Sequence, residues 1–143
     1  MSDPFDLQRF VDAQAPVFAE VCAELAEGRK RGHWIWFIFP QIKGLGSSPI
    51  AQYFGVSCLD EAAAYLRHPI LGPRLRDCTE LVNRLEGHSA YDIFGSPDDL
   101  KFRSCMTLFI RASSDNAIFK RALDKYYRGQ FDPLTLARLG ETS

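Results

Sequence analysis

Lys30, His33 and Trp34, then Lys43, Gly44, Gly46, Ser47 and Ser48, stand close together in one stretch of this chain, between Arg29 and Pro49. A basic triplet, Arg29-Lys30-Arg31, runs into the aromatic and aliphatic block Trp34 to Phe39, and that block runs into a glycine-rich loop. Cations, flat apolar surface and flexible backbone in this order suit the binding of something flat and anionic. The cations would grip phosphates or carboxylates, although a helix C-terminus also favours them through its dipole. Trp34 and Trp36 could stack on a base or ring. Large aromatics in an apolar run are usually core, so Trp36, Phe37 and Ile38 are expected inside, with His33 and Trp34 at the ligand-facing edge. In Lys43-Gly44-Leu45-Gly46-Ser47-Ser48 the glycines let a phosphate approach the backbone, and a helix opening at Pro49 would offer free N–H groups. Further along, Lys101 and Arg103 flank Phe102, so at least one is expected to point into a cleft. Asp98 and Asp99 beside them read mainly as capping acids.

Other chemistries find little support. Cys22, Cys58, Cys78 and Cys105 are too far apart for a CxxC motif, and three of them fall on apolar helix faces, where a thiol acts as a small hydrophobe. No signal-peptide pattern is seen, so reduced thiols and a cytoplasmic setting are expected. His33, His68 and His88 lack metal-ligand spacing, and no G-x-S-x-G elbow occurs. Neither a metal nor a cofactor is expected. The formal net charge of −1 argues against a dedicated nucleic-acid binder. No apolar run is long enough to span a bilayer. An anionic small molecule is the expected partner; oligomeric state is open.

These residues must be positioned by helices. Asp3-Pro4, Ser48-Pro49, Ser96-Pro97 and Asp132-Pro133 each place a capping residue before a proline suited to the first helical position. Gly28, Gly55, Gly87, Gly95 and Gly129 follow plausible last turns. Between these marks the apolar period is helical, as in Leu75, Cys78, Leu81, Val82 and Leu85. Helices are predicted near 4–14, 16–27, 49–55, 58–67, 73–86, 89–94, 97–112, 116–128 and 133–139. The block 33–39 reads as a short buried helix or an extended core segment, since a lone strand has no partner. Pro40 should keep Phe39 out of the α region. The class is all-α: one domain over 1–143, a compact array of about eight or nine helices with the 33–39 block buried. Residues 1–3 and 141–143 are expected to fray.

Several runs carry a resemblance: His33 to Gln41, Gly44-Leu45-Gly46, His68 to Leu75, and Ile93 to Lys101. Together they resemble a bacterial family catalogued as domain of unknown function 1810, over nearly the whole chain. That resemblance implies a mainly helical single domain and no particular activity. Members are sometimes labelled calpastatin-like, yet this composition is globular, unlike disordered inhibitor segments. Residues Ser57 to Arg74 and Leu100 to Leu123 are also similar, in their order of elements, to the NADAR N-glycosidases. That second resemblance implies chemistry on ribosylated bases or ribosyl-amino pyrimidines. The Glu-bearing signature helix of those enzymes has no counterpart near Trp34 to Gln41, so no catalytic residue is carried over.

The expected function is therefore binding of a phosphate- or ribose-bearing, nucleotide-like ligand at Lys30, His33, Trp34, Lys43, Gly44, Gly46, Ser47, Ser48, Lys101 and Arg103, with N-glycosidic bond chemistry as its enzymatic form. The alternative is a non-enzymatic helical interaction module presenting Tyr126, Tyr127 and Phe131.

Overall fold

Proline-led caps open two of the helices as expected. Ser48 Oγ accepts from Ala51 N at 3.2 Å to start α4 (Pro49–Tyr53), and Asp132 Oδ2 accepts from Thr135 N at 3.2 Å to start α10 (Pro133–Arg138). The computed structural model describes residues 2–140, so the expectation of frayed ends at residue 1 and at 141–143 falls outside it. Asp3, also expected to fray, is tied down: its carboxylate accepts from Leu7 N and Gln8 N at 2.8 and 3.0 Å. Its cap works at a distance, and α1 (Gln8–Gln14) begins four residues later than predicted.

Ten helices form among the described residues. The one beyond the nine predicted ranges is α3 (Ile35–Ile38), which resolves the ambiguous aromatic block as a short helix. Phe39 then leaves the α region, at φ −122° and ψ 74°, as the following proline requires. The second helix, α2 (Phe18–Glu27), ends on Gly28 in the left-handed conformation. Next come α5 (Leu59–Arg67) and α6 (Leu71–Arg84). α6 starts two residues early because His68 Nδ1 accepts from Ile70 N and Leu71 N, a cap supplied by a residue read as loop. α7 (Ala90–Phe94) opens with a Ser89–Asp92 capping box. α8 (Asp98–Ala112) begins after a cis Ser96–Pro97 bond, and Ser96 does not cap it. α9 (Ala117–Tyr127) completes the set.

α8 is the central post. Its residues Phe102, Cys105, Met106, Leu108, Phe109 and Ile110 are all buried, as befits a helix apolar on most faces. Around it pack α9, α5, α7, α10 and α3, while α6 bridges α2, α5 and α9. Phe39 drops from the end of α3 into an aromatic cluster, with ring centroids 4.8 Å from Phe102 and 5.9 Å from Phe94. No strand occurs among the described residues; one isolated parallel bridge pairs Ile42 with Val56. Lys43 N donates to Val56 O at 2.8 Å and Val56 N donates to Gln41 O at 2.9 Å. Arg9 braces the same region from α1, donating to the carbonyls of Phe5, Asp6, Tyr53 and Gly55 and pairing with buried Glu61 at 2.9 Å. The loop from Gln41 to Ser57 is thus held at both ends. Of the cysteines, Cys78 and Cys105 are buried, Cys22 is half-buried and Cys58 exposed, and all four are free thiols.

Candidate functional site

A buried carboxylate organises the basic triplet. Glu24, on α2, accepts at one oxygen from Arg31 N (2.7 Å), Gly32 N (3.0 Å) and Trp34 Nε1 (3.0 Å). Burial raises the Glu24 carboxyl pKa, but those three donors and the Arg31 charge outweigh it and hold the group below its ordinary 4.5. The chain from Arg29 to Trp34 therefore wraps around Glu24. Trp34 ends 3% exposed, packed on Phe39. Gly32 is needed there, since a Cβ would come 2.8 Å from the Trp34 ring. Lys30 lies over the Trp34 ring at 5.0 Å and pairs with Asp98 Oδ2 at 2.8 Å.

Asp98 links this closed corner to an open one. Its other oxygen, Oδ1, meets Lys101 Nζ at 3.4 Å, and Lys101 Nζ lies 4.8 Å from the centre of the Trp36 ring. Trp36 and Lys101 both line a cavity of about 350 Å³. Its wall also takes in Gln41, Leu45, Gly46 and Ser48 from the glycine loop, Leu100, Arg103 and Ser104 from α8, and Asp132, Pro133 and Leu134 from the start of α10. A volume of this size is within the range of about 300–1,000 Å³ usual for small-molecule sites.

Asp132 is fixed in that wall by α8. Ser104 Oγ donates to Asp132 Oδ2 at 2.8 Å, and Asp132 N donates to Thr107 Oγ1 at 2.9 Å. Arg103 donates through Nε to Gln130 O (2.9 Å) and through Nη2 to Phe131 O (2.6 Å), so it holds the turn that presents Asp132. Every intramolecular hydrogen bond to the Asp132 carboxylate among the described residues goes to Oδ2. Oδ1 takes none of them.

The structure brings Gly46, Ser48, Lys101 and Arg103 together around this cavity and leaves the other six candidates outside its wall. Lys30 and Trp34 belong to the closed corner. Trp34 and Trp36 have exchanged the roles expected of them: Trp34 is core, and Trp36 faces the cavity. His33 and Ser47 stay at the surface. Lys43 lines a separate cleft with Arg9, Tyr53 and Ser57, its Cβ close against Gly55. Gly44 meets Arg138 instead. The expected helix-terminus cradle is short, because α4 has five residues and Ser48 already caps it. Tyr126 and Tyr127 are half-buried, with hydroxyls donating to the carbonyls of Val82 and Asp99, and Phe131 lies under Arg111. They are not the free aromatic surface expected of an interaction module.

Sequence reasoning missed Trp36, Gln41, Ser104, Asp132 and Leu134 as wall residues. Asp132 carried a signal, since Asp-Pro marks it as a cap, but a cap signature does not reveal what else the carboxylate meets.

The sequence profile of a family described as "Protein of unknown function (DUF1810)" matches residues 4–139. The crystal structure of the conserved hypothetical protein Rv1873 from Mycobacterium tuberculosis is similar, with 59% identity over 98% of this chain and 100% of that one, at a TM-score of 0.96. No curated protein is detectably similar. No helix among the described residues is long and apolar enough to cross a membrane.

Proposed function

We propose that this chain, which belongs to the DUF1810 family of proteins of unknown function, binds a phosphate- or ribose-bearing, nucleotide-like small molecule in the cavity beside Trp36. One observation carries the reading: an aromatic ring, an ammonium and a carboxylate from three distant segments, Trp36, Lys101 and Asp132, line the same cavity. Lys101 takes the anionic group. Its pair with Asp98 is long, at 3.4 Å, and Asp98 is held more closely by Lys30, so Lys101 keeps charge to offer a ligand. Asp132 Oδ1 accepts ribose hydroxyls. Trp36, Leu45, Leu100 and Leu134 provide apolar faces for the ring.

Chemistry on an N-glycosidic bond, as the NADAR resemblance implies, would fall to Asp132, the acidic residue in the wall. Exposed Leu100 and Leu134 could instead speak for a protein-binding surface, but both already serve as cavity wall. Thermal-shift and calorimetric titrations with AMP, ribose 5-phosphate and ADP-ribose test the reading. At least one should stabilise the wild type, and Trp36→Ala and Lys101→Ala should each remove the effect. A panel without any shift, or a shift that survives both substitutions, overturns it.

A further inference from the structure

We infer that the site has a second anion subsite at Arg138, so that its ligand is a nucleotide with a further negative group on the side of its ring away from the phosphate. This rests on the nucleotide-like reading above and narrows it. A second cavity, of about 310 Å³, is lined by Gly44, Leu45, Leu134, Ala137 and Arg138. It shares Leu45 and Leu134 with the cavity beside Trp36, so the two adjoin across that leucine pair. The first cavity has two cations at its wall, Lys101 and an Arg103 turned to backbone carbonyls, and the second has Arg138.

Arg138 is exposed yet fixed. Its Nη2 donates to Gly44 O at 3.0 Å, and a Cβ at Gly44 would lie 2.5 Å from the guanidinium carbon. Gly44 also holds a φ of 101°, a left-handed backbone that favours glycine. The glycine thus allows the guanidinium to rest against the loop. Nε and Nη1 make no other hydrogen bond among the described residues and are free to grip a carboxylate or phosphate. What separates Lys101 from Arg138 is apolar: Leu45, Leu134 and Ala137. An apolar divider between two cations fits a flat ring with a negative group at each end. A bare chain of phosphates would be desolvated there without partners.

Nicotinic acid mononucleotide and nicotinamide mononucleotide test this. They share ribose, phosphate and ring shape, and differ in a ring carboxylate against a neutral carboxamide. Calorimetry on the wild type should give the carboxylate about tenfold tighter binding, the worth of one charge-assisted pair. Arg138→Gln retains a donor for Gly44 and removes the charge; it should bring the ratio of the two affinities to about one. Equal affinities in the wild type overturn the second subsite and leave the nucleotide reading standing. An unchanged ratio in Arg138→Gln does the same. Binding of neither compound overturns the second subsite, and it overturns the nucleotide reading as well when AMP, ribose 5-phosphate and ADP-ribose also fail to bind.

Discussion

Two tryptophans two residues apart, each with a lysine over its ring, meet opposite fates in this molecule. Lys30 lies 5.0 Å from the Trp34 ring and Lys101 lies 4.8 Å from the Trp36 ring, and one carboxylate, Asp98, pairs with both lysines. Yet Trp34 is sealed and Trp36 borders a cavity. Glu24 makes the difference. It gives the Trp34 indole N–H a buried acceptor and pulls the preceding backbone down with it. Among the described residues Trp36 has no such hydrogen bond, and it lines the cavity beside Gln41 and Gly46 with Lys101 of α8 over its ring. Identical residue types serve the core on one side and a candidate site on the other, and the assignment is made by a third residue ten positions upstream of Trp34.

Substitutions can break that contrast. The largest effect is expected from Trp34→Ala, about 3–5 kcal/mol of lost stability in urea unfolding, because a large buried ring leaves a void. Trp36→Ala should cost about 1–2 kcal/mol, since its ring is already partly exposed. Equal costs at the two positions would erase the distinction. Glu24→Ala comes next, at about 3 kcal/mol, because two backbone N–H groups and an indole lose their acceptor together. Its effect should be sub-additive with Trp34→Ala in a double-mutant cycle.

The acid limb of stability sharpens the same point. The Glu24 carboxyl is held below its ordinary 4.5 in the folded chain, so the unfolded chain takes up that proton first. Glu24 therefore contributes stability that is present above the unfolded value and lost as pH falls through the folded one. The drop should set in as pH falls through the ordinary 4.5 and continue below it, and Glu24→Gln should flatten part of it, while Asp3 and Asp92 contribute through lowered values of their own. A pH profile unchanged by Glu24→Gln would contradict the role given to its charge. The smallest effect is at Lys101. Lys101→Ala should alter stability by less than about 1 kcal/mol, as for a partly exposed pair, while Lys30→Ala should cost about 1–2 kcal/mol, because the Lys30 ammonium is buried and half-buried Asp98 is left with only its longer pair to Lys101.

Much of the fold was legible in the sequence, because its signals are local. Ser48, Asp132 and Gly28 marked helix ends through their own backbone neighbours, and the spacing of Leu75, Cys78 and Val82 marked a buried face. The misplaced starts of α1 and α6 came from caps acting at a distance: Asp3 reaches Leu7 and Gln8, and His68 serves a helix it does not belong to. The candidate site was only half legible. Positions two apart in a helical turn face about 200° away from each other, so one of Trp34 and Trp36 had to turn inward, and nothing in the run itself says which. Glu24 decided it through contacts that spacing does not encode. The cavity wall comes from segments near 36–51, 97–104 and 132–134, which only the packing of α3 and α10 on α8 brings together.

The contrast between the two rings also offers the most direct measurement. Each tryptophan gives one indole N–H signal in a proton–nitrogen correlation spectrum, assignable with Trp34→Phe and Trp36→Phe. On titration with nicotinic acid mononucleotide, the Trp36 signal should move in a saturable manner while the Trp34 signal stays in place. Movement of Trp34 without Trp36, or stillness of both, would contradict the account.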